Sequence, residues 1–219
     1  MILYNTLMGV CAGGGMLLVA TLLHRLTRHA ELRATSGLAL LAFGIPLTVL
    51  AGAMTLTWPL TVNPPINIAF GEPALMLGIL LTLAGVAVTR YAMGSAAVTL
   101  PEIGAFGPIA WVVFTVGLVL ASITSAIYSY DLVGDAPPQE PITGQFTGWE
   151  NTFFVVIYGL AALGCLLAPW MKSRPYVVNS LVIAAWGLSG LAFLAFSVLN
   201  YRTHIGLLIN LERGTNYRW

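Results

Sequence analysis

Only 17 of the 219 residues carry a formal charge, and almost all of them fall in five short clusters separated by apolar stretches of about 20 residues. A helix rises about 1.5 Å per residue, so each stretch matches a hydrocarbon layer of about 30 Å. Such a chain must cross a membrane repeatedly. With 58% hydrophobic and 8% charged residues and a mean hydropathy of +0.87, it is too apolar for a water-soluble core, in which about 25% of residues are charged.

The spacing divides the chain into six spans at about residues 2–23, 35–58, 73–91, 108–130, 151–171 and 176–200. The expected fold is an all-α integral-membrane bundle of six transmembrane helices, forming a single domain over residues 1–219. The opening MILYNTLMG has no basic n-region and no small-residue cleavage pattern, so it is expected to stay as the first helix. Pro46 falls inside span two and is expected to kink it. The connection from Pro59 to Glu72 holds Pro59, Pro64, Pro65, Asn63, Asn67 and Gly71, too many breakers for a helix, and it is mostly uncharged. Span three then starts at Pro73, a favourable first helical position. Residues 92–107 are read as a loop carrying Glu102, and residues 131–150 as an exposed acidic loop without a basic residue.

Alternating the spans puts Arg25, Arg28, Arg33, Arg90, Lys172 and Arg174 on one side, with only Arg202, Arg213 and Arg218 on the other. By the positive-inside rule both termini lie outside, in a multi-pass protein of the plasma (cytoplasmic) membrane. The tail after Asn200, apolar at Ile205, Leu207, Leu208, Ile209 and Leu211 and bracketed by arginines, fits a short interfacial C-terminal helix. No convincing inverted repeat relates spans one to three to spans four to six.

A net charge of +1 with no basic block argues against a nucleic-acid partner. The expected partners are the lipid bilayer and other membrane proteins, and a homo-oligomer is compatible with the sequence. Cys11 and Cys165 fall at different depths and are read as small packing residues rather than a disulfide. His24 and His29 lie a bilayer away from His204, so the three histidines do not form one haem or metal site. Neither a covalent-haem motif nor a phosphate loop is present, and no cofactor, metal or catalytic residue is assigned.

The candidate sites are correspondingly modest. At the outer mouth Glu72 opens span three, Asp131 closes span four and His204 follows span six, with Asn67 and Trp58 in the hairpin between spans two and three. Carboxylates and an imidazole at one level can bind a cation or relay a proton, although ordinary helix caps and solvated helix ends account for them more simply. Ser122, Thr124, Ser125 and Tyr128 form a candidate polar seam in span four. Gly9 and Gly13 form a GxxxG in span one and are read as helix-packing residues. No Asp, Glu, Lys or Arg lies near a span centre, which weighs against an ion-coupled pump.

The segment Thr55-Leu56-Thr57-Trp58-Pro59-Leu60, followed by Asn67-Ile68-Ala69-Phe70-Gly71-Glu72-Pro73, resembles a motif in a family of small prokaryotic membrane proteins known as domain of unknown function number 981. The resemblance extends over most of the six spans and implies a polytopic membrane protein. It carries no activity or cofactor, and it directs attention to Trp58, Asn67, Gly71 and Glu72. The leading functional expectation is a non-catalytic subunit or accessory protein of a larger membrane complex, such as a respiratory one. The alternatives are a small-solute transporter or channel with a polar site at the outer mouth, and a membrane-embedded metal site or enzyme.

Overall fold

The computed structural model describes residues 2–95, 107–171 and 175–218. Glu102, Lys172 and Arg174, which entered the sequence reading, lie outside the described residues. Among the described residues there are six long helices: α1 (Ile2–Thr27), α2 (Ala34–Thr57), α3 (Glu72–Ser95), α4 (Gly107–Tyr130), α5 (Trp149–Leu167) and α6 (Pro175–Arg213). Each is long and apolar enough to cross a membrane. Neighbours run antiparallel, and both chain ends meet at one end of the bundle, hereafter the terminal face.

α1 runs on to Thr27 and α3 to Ser95, about four residues past the ends read in the sequence, and two larger differences accompany these. Helical structure before α3 begins earlier than Pro73, with a π-helical turn at Asn67–Gly71 that leads directly into Glu72. The prolines before it do not prevent this, because Pro64 and Pro65 precede the first turn, where no intrahelical N–H is required. The second correction concerns the tail. Residues 201–213, expected as a separate interfacial helix, are the outer end of α6, which runs unbroken to Arg213. No breaker interrupts it until Gly214, whose left-handed φ of 60° ends the helix. α2 likewise continues through Pro46.

Small residues determine how closely the helices approach. In the α2–α3 pair the most tightly packed glycines face a threonine or backbone of the other helix, Gly37 against Thr89, Gly44 against Thr82, Gly78 against Thr48 and Gly85 against the Gly37 carbonyl, and Gly71 of the π turn lies against Thr55. Thr48 and Thr82 return their hydroxyls to Gly44 O and Gly78 O of their own helices, at 2.8 Å each. The hydroxyl oxygens that lie against the opposing glycines are thus already hydrogen-bonded, and no donor is stranded at the close approach. In the α1–α6 pair, Gly9 faces Ser197, and Gly13 meets the backbone of Leu194 and Gly190.

Following the packing from helix to helix, α3 lies on α2, α2 on α1, α1 on α6, α6 on α5 and α5 on α4. The ring nearly fails to close, because α3 and α4 touch only sparingly. Accordingly there are two hydrophobic clusters rather than one. The first joins α1, α2 and α3 around Leu26, Leu40, Leu47, Met54 and Leu81. The second joins α4 and α5 around Leu120, Ile127, Phe154 and Ile157, with Phe193 and Phe196 of α6 against it.

Candidate functional site

Between the two clusters runs a cavity of about 290 Å³. Five helices line it, each with one stripe at helical spacing: Met8, Ala12, Met16 and Val19 on α1; Ala74, Leu77, Leu81 and Ala84 on α3; Ile109, Val113, Val116 and Leu120 on α4; Phe154, Ile157, Ala161 and Cys165 on α5; and Trp186, Phe193, Phe196 and His204 on α6. Trp186 and His204 are eighteen residues apart on a single helix, so the cavity extends over about 27 Å, most of a hydrocarbon layer. Ala84 and Ile109 line the cavity and are also exposed, on the two helices that hardly meet. The cavity therefore opens sideways between α3 and α4, at the end remote from the terminal face.

The hairpin between α2 and α3 builds the opposite end of the cavity. Trp58 terminates α2 in the left-handed region with φ 46° and remains 46% exposed. Asn67, only 1% exposed, closes the hairpin by accepting the Leu60 N–H at 3.0 Å and donating to Leu60 O at 3.0 Å and Pro64 O at 2.9 Å. Asn63 donates to Leu132 O at 2.8 Å, tying the hairpin to the end of α4. The π turn presents the Ala69 carbonyl to Tyr158 of α5, whose buried hydroxyl donates to it at 2.9 Å. Phe70, next in the turn, packs on Phe154 with ring centroids 5.0 Å apart and forms part of the cavity wall.

The loop between α4 and α5 closes over the outer end of α6. Glu140 is not an exposed loop acid as the composition implied; it is 4% exposed. Its Oε2 accepts the Ile142 N–H at 2.8 Å, the Thr143 O–H at 3.0 Å and the Gly144 N–H at 3.1 Å. The buried Thr203 hydroxyl of α6 adjoins the same carboxylate without the geometry of a hydrogen bond. Asn210, also buried, donates to Gln139 O at 2.8 Å and accepts the Tyr217 N–H at 2.9 Å, binding the loop and the tail to α6. These contacts explain the length of α6: its outer turns are the post on which the acidic loop is mounted.

Burial alone would raise the Glu140 carboxyl; the adjoining Thr203 hydroxyl and the donors from Gly144, Ile142 and Thr143 outweigh it and hold the group below the ordinary carboxylate range. A carboxyl depressed in the folded state stabilises the fold above its unfolded pKa, and that contribution is lost as pH falls through the folded value. The protection of the Ile142 and Gly144 amides against hydrogen exchange, relative to the intrinsic rate at each pH, should therefore fall as the pH drops below the ordinary carboxylate range. Glu140→Gln should exchange faster at neutral pH and lose that acid step; an identical pH profile in the variant would refute this role.

The residues singled out in the sequence are dispersed. Glu72 is half-buried at the start of α3, Asp131 is exposed with φ 47° at the end of α4, and Asn67 is occupied by the hairpin backbone. His204 lies instead on the α1 side, its Nδ1 3.1 Å from Thr6 Oγ1, where the direction of the hydrogen bond depends on the tautomer. Among the described residues, no three His, Cys, Asp or Glu side chains converge as metal ligands. The candidate seam on α4 does not face the cavity: Ser122 and Ser125 are exposed, Tyr128 is 77% exposed, and Thr124 donates to Leu120 O at 2.7 Å while packing against Gly159. For Ser122 and Ser125 the reason is helical phase, since the cavity-lining Val113, Val116 and Leu120 occupy another side of the helix; Thr124, four residues after Leu120, is on their side but packs on α5 beyond the lining. Of the outer-mouth group only His204 lines the cavity, together with Asn5, Thr6, Ser197 and Asn200, which the sequence reading passed over. The signal that could have found them is Ser197, Asn200 and His204 at i, i+3 and i+7, a polar stripe on one helix.

Comparison with curated proteins and with solved structures finds no match. A family model described as "Protein of unknown function (DUF981)" matches residues 1–206, which include all of α1 to α5, most of α6, and the hairpin that carried the resemblance. With nearly the whole chain covered, the protein belongs to the DUF981 family.

Proposed function

We propose that this protein binds a lipophilic molecule taken from the bilayer into the cavity between its two hydrophobic clusters. The observation that carries the reading is the cavity itself: long, lined almost entirely by apolar side chains, and open sideways between α3 and α4. Ligand sites are concave, mostly apolar and equipped with few polar groups, and one that opens into hydrocarbon selects for molecules dissolved there. A polar-solute path past Thr124, Ser125 and Tyr128 has less support, because those side chains lie off the cavity. The same proposal sets the protein in the cytoplasmic membrane with both termini outside, on the strength of Arg25, Arg28, Arg33 and Arg90 at the face opposite the termini.

The test is purification in mild detergent, followed by solvent extraction and mass spectrometry. The expected result is one lipophile retained in stoichiometric amount after exhaustive detergent exchange. Ala84→Phe, placed at the exposed side opening, should reduce retention several-fold without altering the elution of the folded protein. An extract holding only bulk lipid in membrane proportions, the same for both proteins, would overturn the reading. The same preparation examines the accessory-subunit expectation, for which a larger complex must co-purify.

A further inference from the structure

Five polar side chains, Asn5, Thr6, Ser197, Asn200 and His204, gather at one end of the cavity. Deeper in, the available donors are already committed within the protein: Tyr158 to Ala69 O at 2.9 Å, Ser189 to Ile157 O at 2.8 Å and Trp186 to Ala161 O at 3.3 Å. At the terminal end, Thr6 and His204 pair across α1 and α6, and Asn5 and Asn200 stand beside them. There the Oδ1 of Asn5 is buried and has no hydrogen-bond partner. A buried acceptor left unpaired is unfavourable, and a donor entering the cavity would satisfy it.

The charge around this end narrows the donor. Among the described residues no Lys or Arg lines the cavity, so none of them compensates an anionic head group there. The buried Glu140 carboxylate stands within electrostatic reach of His204 and would repel a second carboxylate. The volume, about 290 Å³, lies at the lower end of the range for small-molecule sites, about 300–1,000 Å³, although the cavity is nearly as long as the hydrocarbon layer is thick. A long, narrow space holds one chain rather than two.

We infer that the terminal end of the cavity is a head-group subsite for a neutral, hydroxyl-bearing, single-chain amphiphile, whose O–H donates to Asn5 Oδ1 while its tail extends toward Trp186. The inference rests on the lipophile-binding reading and specifies its ligand class, that of long-chain alcohols, phenols and hydroquinones.

The experiment uses the full-length protein, delipidated in detergent, with three probes: a long-chain primary alcohol, its methyl ether and the carboxylic acid of the same chain. Binding is followed by native mass spectrometry and by thermal stabilisation. The wild type should bind the alcohol about tenfold more tightly than the ether, the ratio expected for one hydrogen bond, and more tightly than the ionised acid at neutral pH. Asn5→Leu should bind alcohol and ether equally, and Asn5→Gln, which keeps an amide oxygen, should restore part of the preference. Equal binding of alcohol and ether to the wild type, or a preference that survives Asn5→Leu, would overturn the subsite. In that event binding of either probe that Ala84→Phe weakens would leave the cavity reading standing, whereas no binding of any probe, together with a lipophile-free extract, would overturn both.

Discussion

Replacing Gly13 with alanine should destabilise the bundle by about 2 kcal/mol or more, whereas Gly187→Ala, at the same helix pair, should be neutral or stabilising by up to about 1 kcal/mol. A Cβ at Gly13 would run into Leu194 N and lie 2.8 Å from Leu194 Cα and 2.9 Å from Gly190 O. These are backbone atoms, so no rotamer change relieves the clash and α1 must move away from α6. The opposing Gly190 has the reciprocal contact, its Cβ position lying 2.9 Å from Gly13 O. In a bilayer the loss is felt directly, because helices there are held by close packing and not by exclusion of water. A Cβ at Gly187 meets only the Ala20 methyl, at 3.7 Å, an ordinary contact, and alanine is the better helix former. Unfolding in a graded detergent mixture would measure both variants. If the two alanines proved equally costly, the crossing of α1 and α6 would not depend on Gly13.

The second large effect is expected at Asn67. Its side chain makes three hydrogen bonds to the hairpin backbone and is almost wholly buried, so Asn67→Ala leaves one N–H and two carbonyls without their partner. Each bond contributes about 1 kcal/mol net, and orphaned buried groups cost more, so a loss of about 2–3 kcal/mol is expected. The damage should spread along the π turn, because Ala69 receives Tyr158 and Phe70 packs on Phe154. Hydrogen exchange across residues 58–71 would detect it, together with weaker retention of any molecule in the cavity that Phe70 helps to wall. Asn67→Asp should not rescue the hairpin: it keeps the acceptor for the Leu60 N–H but turns a carboxylate toward the Leu60 and Pro64 carbonyls. An Asn67→Ala protein with unchanged exchange and stability would mean that the prolines alone shape the turn.

The site was less legible in the sequence than the fold. Glu72 was singled out at the end of a mostly uncharged hairpin and Asn67 through the family resemblance, and that hairpin does dock on the bundle through Tyr158 and Leu132. Asn67 nevertheless commits both amide hydrogens and its carbonyl oxygen within the turn, which no reading of residue types reveals. Glu140 was read as solvated because its neighbours in the chain are polar, yet it is enclosed by Thr143 and Gly144 of its own loop and by Thr203, which is distant in the chain. The seam on α4 was found by counting hydroxyls along the chain, whereas the cavity depends on which side of α4 turns toward α5 and α3.

What the sequence by itself determined is the property that accumulates residue by residue along one chain direction. Six apolar lengths matched to a bilayer, and the charged clusters between them, specify a six-helix membrane protein, because transfer into hydrocarbon is paid locally by each segment. Only the tertiary structure decided how those helices face one another: which glycines meet backbone, how α3 and α4 come to stand apart, and that Asn5 of the first helix and His204 of the last share one end of an apolar cavity. Those features follow from helix rotation and from contacts between residues far apart in the chain, and in a helix that is apolar on every side the hydropathy pattern carries almost no information about rotation.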